Sequence, residues 1–355
     1  MSERSERSSG LVRGLFDGPL DIVGDIHGEI GPLRELLHRL GYGSDGRHPA
    51  GRRLVFVGDL GDRGPDSPAV GELVMKLVGR GVAQCVLGNH ELNLLRAEDK
   101  AGNAWFMNPE RKEQQSGGEF AHSRVASADF KARYLTFLAS LPLVLERPDL
   151  RIVHAAWVSG EVDALRADVG SMLEVYRSYE IQTEAQLTIE GLQERAAREQ
   201  AQWKHALHDR HAKVPLLTAF GESDERYQMG NPVRVVTSGV ERLTRSPFWS
   251  AGQWRMCDRV RWWEEYEEDI PVVVGHYWRR AKPIAGSDHV ATKPDLFRGV
   301  GPTDWMGPKR NVFCVDYAVG ARYEERKAGK TQFDTRLAAM RWPERELWFE
   351  TGQVI

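Results

Sequence analysis

The stretch "FVGDLGDRGPDSPAV", residues 56–70, decides how this chain is read. It opens as an apolar strand and then sets Asp59, Asp62 and Arg63 between Gly58 and Gly64. The same pattern occurs upstream in "LDIVGDIHG" (20–28), an apolar run closing in a Gly-bounded turn, and downstream in "AQCVLGNHE" (83–91). Between them, "IGPLRELLHRLGY" (30–42) carries Leu33, Leu36, Leu37 and Leu40 at the spacing of one helix face, and "PAVGELVMKLVGRG" (68–81) reads as a second helix. Strand, helix, strand, helix, strand is the signature of a parallel sheet with covering helices. Each polar cluster lies just beyond the C-terminal end of its strand, where open α/β sheets place their ligand crevice.

Further along, residues from about 159 to 215 are charged and rich in Gln and Glu, and read as a helical insertion; "ERAAREQAQWKHALHDRH" (194–211) is its clearest segment. Strand-like runs return at "PVRVVTSGV" (232–240), "DIPVVVGHYW" (269–278), "RNVFCVDYAV" (310–319) and "ELWFETG" (346–352). Polar strand ends occur on both sides of the insertion. The expected organisation is therefore one α/β domain over residues 13–355, preceded by a flexible N-terminus of residues 1–12.

Composition narrows the function classes. With 355 residues, 41% of them hydrophobic, the chain can bury a large core. A net charge of −3, from 48 basic and 51 acidic residues, gives no overall bias toward nucleic acid or an anionic membrane. Cys85, Cys257 and Cys314 are too few and too scattered for a disulfide framework, which fits a reducing cytoplasm. No run of about 18 apolar residues is present for a membrane span, so a soluble protein is expected.

Collected together, the strand ends offer Asp25, His27, Asp59, Asn89, His154 and His276: oxygen and imidazole donors, with no thiolate. Such a set suits divalent manganese, iron, zinc or cobalt and fits a structural Cys-rich zinc site poorly. Six ligands exceed one closed tetrahedral site but suit two ions sharing a carboxylate, where a bridged water becomes a nucleophile for phosphoryl displacement. Asn89 and His90 are adjacent and so project differently, one toward metal and the other free for acid chemistry.

The set GDIHG, GDLGDRG, GNHE and the two later histidines resembles the calcineurin-like metallophosphoesterases, in particular the branch containing Ser/Thr protein phosphatases and bacterial diadenosine tetraphosphatases. The resemblance implies an α/β fold, a β-sandwich of two mixed sheets flanked by helices in four layers. It implies that Asp25 and His27 hold a first ion, Asp59 bridges, and Asn89, His154 and His276 hold a second. Manganese is the first choice of metal, with iron, zinc, cobalt or nickel as alternatives. His90 is then the general acid, Asp62 orients it, and Arg63 binds phosphoryl oxygens; Arg234, Arg242 and Arg279 are candidates for a second phosphate-binding arginine.

The implied activity is hydrolysis of a phosphate ester or nucleotide phosphoanhydride by metal-bound hydroxide, on a phosphorylated small molecule, nucleotide or phosphoprotein. A Ser/Thr protein phosphatase is the main alternative, followed by a nucleic-acid or cyclic-nucleotide phosphodiesterase. A non-catalytic interaction protein on the same fold would have lost a ligand or His90, and neither is lost. Gly61 stands where protein phosphatases more often carry a β-branched residue, and "HAAW" (154–157) replaces a Gly-containing turn. Both departures leave the ligands intact and weaken the protein-phosphatase reading.

Aromatic residues bear on the substrate. Trp157 and Trp278 each follow a ligand-type histidine within three residues, where either one fills core space or stacks on a nucleobase. The Trp-rich "FWSAGQWRMCDRVRWWEEY" (248–266) reads by default as packing, as do the histidines of "HALHDRH". Glu91 is expected to support the ligands rather than join them.

Overall fold

Short apolar runs that do not alternate with polar residues predict strands covered on both faces. The computed structural model, which describes residues 10–111, 120, 122–250, 252–281 and 295–355, forms them. In chain order the elements begin with β1 (Val12–Gly14), β2 (Leu20–Val23), α1 (Ile30–Leu40), β3 (Arg53–Phe56), α2 (Ser67–Gly79), β4 (Ala83–Cys85) and α3 (Asn89–Leu95). They continue with α4 (Ala128–Ala139), β5 (Val144–Arg147), β6 (Leu150–Val153), α5 (Ser159–Ala167), α6 (Met172–Ile189), α7 (Leu192–Trp203), α8 (Thr218–Met229) and α9 (Pro232–Ser238). Last come β7 (Glu241–Ser250), β8 (Gln253–Arg259), β9 (Val272–Val274), β10 (Val312–Cys314), α10 (Arg322–Lys327), β11 (Ala338–Trp342) and β12 (Glu346–Phe349).

Two five-stranded sheets result, ordered β12-β11-β2-β3-β4 and β1-β5-β6-β9-β10. Both are mixed: β2, β3 and β4 run parallel with β11 antiparallel beside them, and β6, β9 and β10 run parallel with β5 antiparallel to β6. Their inner faces meet through Ile22, Val55 and Met340 on one side and Ile152, Val273 and Phe313 on the other, all within 1% of complete burial. The alternate residues, among them Val23, Phe56, Val153 and Val274, turn outward onto helices that include the buried leucines of α1 and Val162 and Leu165 of α5. Helix, sheet, sheet, helix is the four-layer sandwich expected. Each buried Val, Leu, Ile or Phe contributes about 1.5–3 kcal/mol relative to exposure.

Two local expectations are corrected. "PVRVVTSGV" is not a strand: Asn231 caps it by accepting a 3.1 Å bond from the Val233 amide, Pro232 takes the first helical turn, and the run forms α9. A short, fully buried apolar run gives strand and helix the same pattern, and the Asn-Pro start is the signal that separates them. "ERAAREQAQWKHALHDRH" is helical only as far as Trp203, with a single tight turn at Ala206–His208. The Trp-rich segment forms the β7–β8 hairpin, and the buried Trp262 and Trp263 behind it are packing residues. Residues 1–9 of the expected N-terminal tail lie outside the described residues, but Leu11 and Val12 are buried, and Leu11 O accepts from the Leu143 and Val144 amides. Among the described residues, no helix is long and apolar enough to cross a membrane.

At the opposite end of β2 from the polar turns, Asp21 is fully buried and accepts from Tyr42 Oη (2.8 Å), Arg52 Nε (3.1 Å) and Arg341 Nε (3.0 Å). Removing one partner of such a buried network leaves uncompensated charge and costs about 3–5 kcal/mol. Asp21→Ala is therefore expected to lower the unfolding free energy by that amount in urea titration, with Asp21→Asn costing less. Equal stability of the wild type and both variants would show that the network holds nothing together.

Candidate metal centre and active site

Every candidate ligand leaves a strand at the same end of the sandwich. The turn after β2 supplies Asp25 and His27, the turn after β3 supplies Asp59, Asp62 and Arg63, and α3 opens with Asn89, His90 and Glu91. His154 follows β6 and His276 follows β9. The backbone there is unusual: His27, Asp59, Asp62, Arg63 and His276 all have positive φ, between 48° and 70°. Among the described non-glycine residues only Ala97, Arg310, Ala318 and Arg345 share that sign. Left-handed backbone at a non-glycine residue costs about 1–3 kcal/mol and persists where its surroundings impose it, typically at functional sites.

The donors form two sets that share Asp59. On one side Asp59 Oδ1 lies 3.3 Å from His154 Nε2, and Asn89 Oδ1 lies 3.2 Å from His154 Nε2 and 2.9 Å from His276 Nδ1. On the other, His27 Nε2 lies 3.7 Å from Asp59 Oδ2 and 4.0 Å from Asp25 Oδ2, and His90 Nε2 lies 3.8 Å from Asp59 Oδ2. The groups His27, Asp59, His90 and Asp59, His154, His276 each bring their donor atoms within 4.8 Å of one another. Separations near 3 Å match neighbouring ligands around an ion bonded at about 2.0–2.2 Å. Asp59 thus turns Oδ2 toward His27 and Oδ1 toward His154.

Ring tautomers agree with that arrangement. His154 Nδ1 is 2.7 Å from the Val57 carbonyl and His27 Nδ1 is 3.1 Å from the Gly61 carbonyl. Each Nδ1–H donates to a backbone oxygen and leaves Nε2 as the free lone pair, the arrangement that orients ligating histidines. Burial first, then the neighbouring Arg63 guanidinium, holds His27 well below the usual imidazole range and so neutral.

Electrostatics gives a second test of fit. Asp25, Asp59, Glu91 and Asp316 are all buried to within 2%. Burial, then repulsion from Asp316 and Asp59, pushes Asp25 well above the carboxylate range. Burial chiefly raises Glu91 to about 7 and Asp316 to about 6. For Asp59 the upward push of burial is outweighed by His154 and His90, and it stays well below that range. Asp59 in turn raises His154 above the usual imidazole range against the effect of burial. A buried pocket with this excess of carboxylate, beside a His27 ring kept neutral, is one that divalent cations complete.

Two contributors were not anticipated. Asp316, just past β10, faces Asp25 and accepts from the Ala318 amide at 2.8 Å. The signal is in "RNVFCVDYAV", whose Asp316 also follows a strand, β10. The turn that follows packs Gly320 against His27 so closely that a Cβ would sit 2.2 Å from the ring. Trp105, in the loop after α3, donates Nε1–H to Asp62 Oδ1 at 2.7 Å. Nothing in its local sequence marked it. Glu91 supports the centre as expected: its carboxylate accepts from the Gly88, Asp59 and Leu60 amides at 3.1, 2.8 and 2.8 Å.

The candidate catalytic residues are together. His90 Nδ1 is 2.5 Å from Asp62 Oδ2, which turns Nε2 inward, 3.2 Å from Arg63 Nη2. Arg63 lies over the Trp278 ring, 5.1 Å from its centroid, and its buried Nη1 has no hydrogen-bond partner among the described residues. The other arginines are elsewhere. Arg279 is 1% exposed and clamps the Asp304 and Gly301 carbonyls at 2.6 and 2.5 Å, so it is a structural residue, correcting its expected role. Arg234 pairs with Glu180 at 2.7 Å beside Tyr176, and Arg242 lies 3.8 Å from Glu225 on the hairpin. Trp157 is buried between Arg151 and Arg166 and is core, whereas Trp278 is 41% exposed.

Raised carboxylates favour a protonated folded state. Their contribution to metal-free stability is full below about pH 4, where the unfolded groups titrate. It is lost as pH rises through about 6 for Asp316 and about 7 for Glu91. A bound cation reverses that penalty, and protons compete with it. Manganese is expected to raise the melting temperature more at pH 8 than at pH 5.5, measured with and without chelator. Asp59→Asn is expected to abolish the increment and to lower bound metal on elemental analysis; an increment larger at pH 5.5 would contradict the assignment.

Comparison with known proteins bears on the same residues. Bis(5'-nucleosyl)-tetraphosphatase PrpE of Oceanobacillus iheyensis is 34% identical over 139 residues, 38% of this chain and 54% of that protein. The protein of the same name from Halalkalibacterium halodurans is 50% identical over 80 residues, 21% of this chain and 32% of its own length. The matched region thus spans about half of the first relative and about a third of the second. The solved cold-active protein-tyrosine phosphatase of a psychrophilic Shewanella covers 97% of this chain and 81% of its own, at 14% identity and a TM-score of 0.45. The family described as calcineurin-like phosphoesterase matches residues 18–277, the span running from β2 through His276. That span takes in all six candidate ligands, and the chain belongs to the calcineurin-like phosphoesterase family.

Proposed function

We propose that this chain is a metal-dependent hydrolase of nucleotide phosphoanhydrides, with a dinucleoside polyphosphate as the substrate type to test first. The observation that carries the reading is Arg63: a buried guanidinium nitrogen without a partner, beside a cluster of metal-type donors. Such a nitrogen is completed by an anion, and the planar fork of arginine matches two phosphoryl oxygens. The names of the tetraphosphatase relatives point to the same substrate class.

Two divalent cations, manganese first, would be held by Asp25, His27, Asp59, Asn89, His154 and His276, and when bound would supply an activated water and neutralise phosphoryl charge. The protein's own residues do the rest. Arg63 draws the phosphoryl group against the donor cluster. In the resting chain its Nη2 donates to His90 Nε2, so a phosphoryl group that recruits Arg63 opens that nitrogen to carry a proton. Asp62, accepting from Nδ1–H, keeps Nε2 aimed inward and stabilises the imidazolium from which the leaving oxygen takes its proton. Trp278, exposed and already over Arg63, offers a face for a nucleobase, which favours a nucleotide over a phosphopeptide. All three cysteines are free and buried, consistent with the cytoplasm as the compartment.

A turnover screen of the manganese-loaded protein with aryl phosphate, phosphopeptide, dinucleoside polyphosphate and cyclic phosphodiester tests the reading, and preference for the phosphopeptide would replace it with a protein phosphatase. His90→Ala is expected to keep its metal and lose about 10²–10⁴-fold on substrates with poor leaving groups. Trp278→Ala is expected to raise KM for the dinucleotide while KM for a small aryl phosphate changes far less. Equal effects on both would remove Trp278 from the substrate site.

A further inference from the structure

We propose that Trp105 is a positioning residue for proton donation, acting through Asp62 on His90; the inference rests on the reading of His90 as the acid. An Asp carboxylate turns easily about its last side-chain bond, where the torsional preference is broad. A single contact to His90 would leave that rotation open. Here the two oxygens have different donors: Oδ2 meets His90 Nδ1 at 2.5 Å and Oδ1 receives the Trp105 indole N–H at 2.7 Å. The pair fixes the carboxylate plane, and in a buried setting both bonds are charge-assisted. Asp62 is 1% exposed and Trp105 is 1% exposed, so water does not substitute for the indole.

The indole is itself held on every side. Phe106 meets it edge-on at 5.3 Å between ring centroids, and Phe130 and Tyr134 stand 6.3 and 6.4 Å away. Its carbonyl accepts from the Ala126 amide at 3.0 Å. The loop that carries it is pinned by fully buried Asn103, whose side chain accepts from the Lys100 amide at 3.0 Å and donates to the Glu98 carbonyl at 2.8 Å. One residue earlier, the Gly102 carbonyl accepts from the Arg63 amide at 3.2 Å. The same loop therefore grips both Asp62 and Arg63, the adjacent pair whose left-handed φ of 70° and 65° requires outside support.

Gly61 completes the fit. A Cβ at that position would lie 3.0 Å from Trp105 Cζ2. The space that a side chain at residue 61 would use is occupied by the indole. Gly61 and Trp105 thus form one device, with the missing side chain in the turn matched by the ring from the distant loop.

The test uses Trp105→Phe, which keeps an aromatic ring and deletes the N–H donor. Turnover of the manganese-loaded protein is measured on an alkyl phosphate and on a p-nitrophenyl phosphate, with His90→Ala alongside. Loss of an outer hydrogen bond to a working group typically costs 10–100-fold. The expected result is that the alkyl-to-aryl ratio falls by about tenfold or more in Trp105→Phe, in the direction seen for His90→Ala. Gly61→Ala, which crowds the same ring, is expected to shift the ratio the same way and stands in where Trp105→Phe does not fold. If His90→Ala leaves the ratio unchanged, the acid assignment falls and the inference with it. If His90→Ala shifts the ratio and neither Trp105→Phe nor Gly61→Ala does, or both substrates decline equally, Trp105 is a packing residue only and this inference alone is overturned.

Discussion

Asp59 is the residue on which the rest of the centre depends. Its backbone amide is held by Glu91, its Oδ1 accepts from the His90 amide at 3.0 Å, and its two oxygens divide the histidines into the two donor sets. It does this at φ 50°, in a conformation that an aspartate adopts only when the surroundings insist. The insistence comes from the parallel pairing of β2, β3 and β4, which brings their three exits side by side. The His27 and Ile26 amides both donate to the Asp59 carbonyl, at 2.9 and 3.0 Å, so the first ligand turn is built directly on the second. A shift of one strand would therefore misplace ligands from both.

The sandwich also explains why the cluster stays dry. The two sheets contribute candidate ligands from opposite layers, with Asp25, Asp59 and Asn89 from one and His154 and His276 from the other. The donors meet at the seam where the two sheets approach, and His154 reaches across it to the Val57 carbonyl. Burial at such a seam strengthens each electrostatic contact and also raises the cost of any carboxylate left without a counter-charge. Cation binding and fold stability are coupled for that reason rather than by separate features.

Most of this was legible in the sequence because the relevant information is local. A strand end such as "GDIHG" signals itself, and the structure brings the six candidate donors together at one end of the sandwich. Residues that act across the fold did not signal themselves. Trp105 is 43 positions from Asp62, and its role depends on a loop conformation set by Asn103 and on the absent side chain of Gly61. Arg279 shows the converse error. It is a sequence candidate for phosphate binding, but the path of the chain turns it inward onto backbone carbonyls. The α9 segment failed for a different reason: a run buried all round erases the periodicity that separates helix from strand.

The distribution of positive charge carries the argument furthest. Arg52, Arg279 and Arg322 are buried and committed to Asp21 and Glu344, to backbone carbonyls, and to Glu350 respectively. Arg234 is held by Glu180. Arg234 Nε, Arg279 Nε and Arg63 Nη1 are all buried without partners among the described residues, but of the three arginines Arg63 is the one whose side chain meets the donor cluster, through His90. A polyphosphate entering this pocket would meet the ionised Asp59 and, as pH rises, Glu91 and Asp316 as well, and one guanidinium is too little to offset them. Under the proposed function, substrate affinity is therefore expected to depend on bound cations as well as on Arg63.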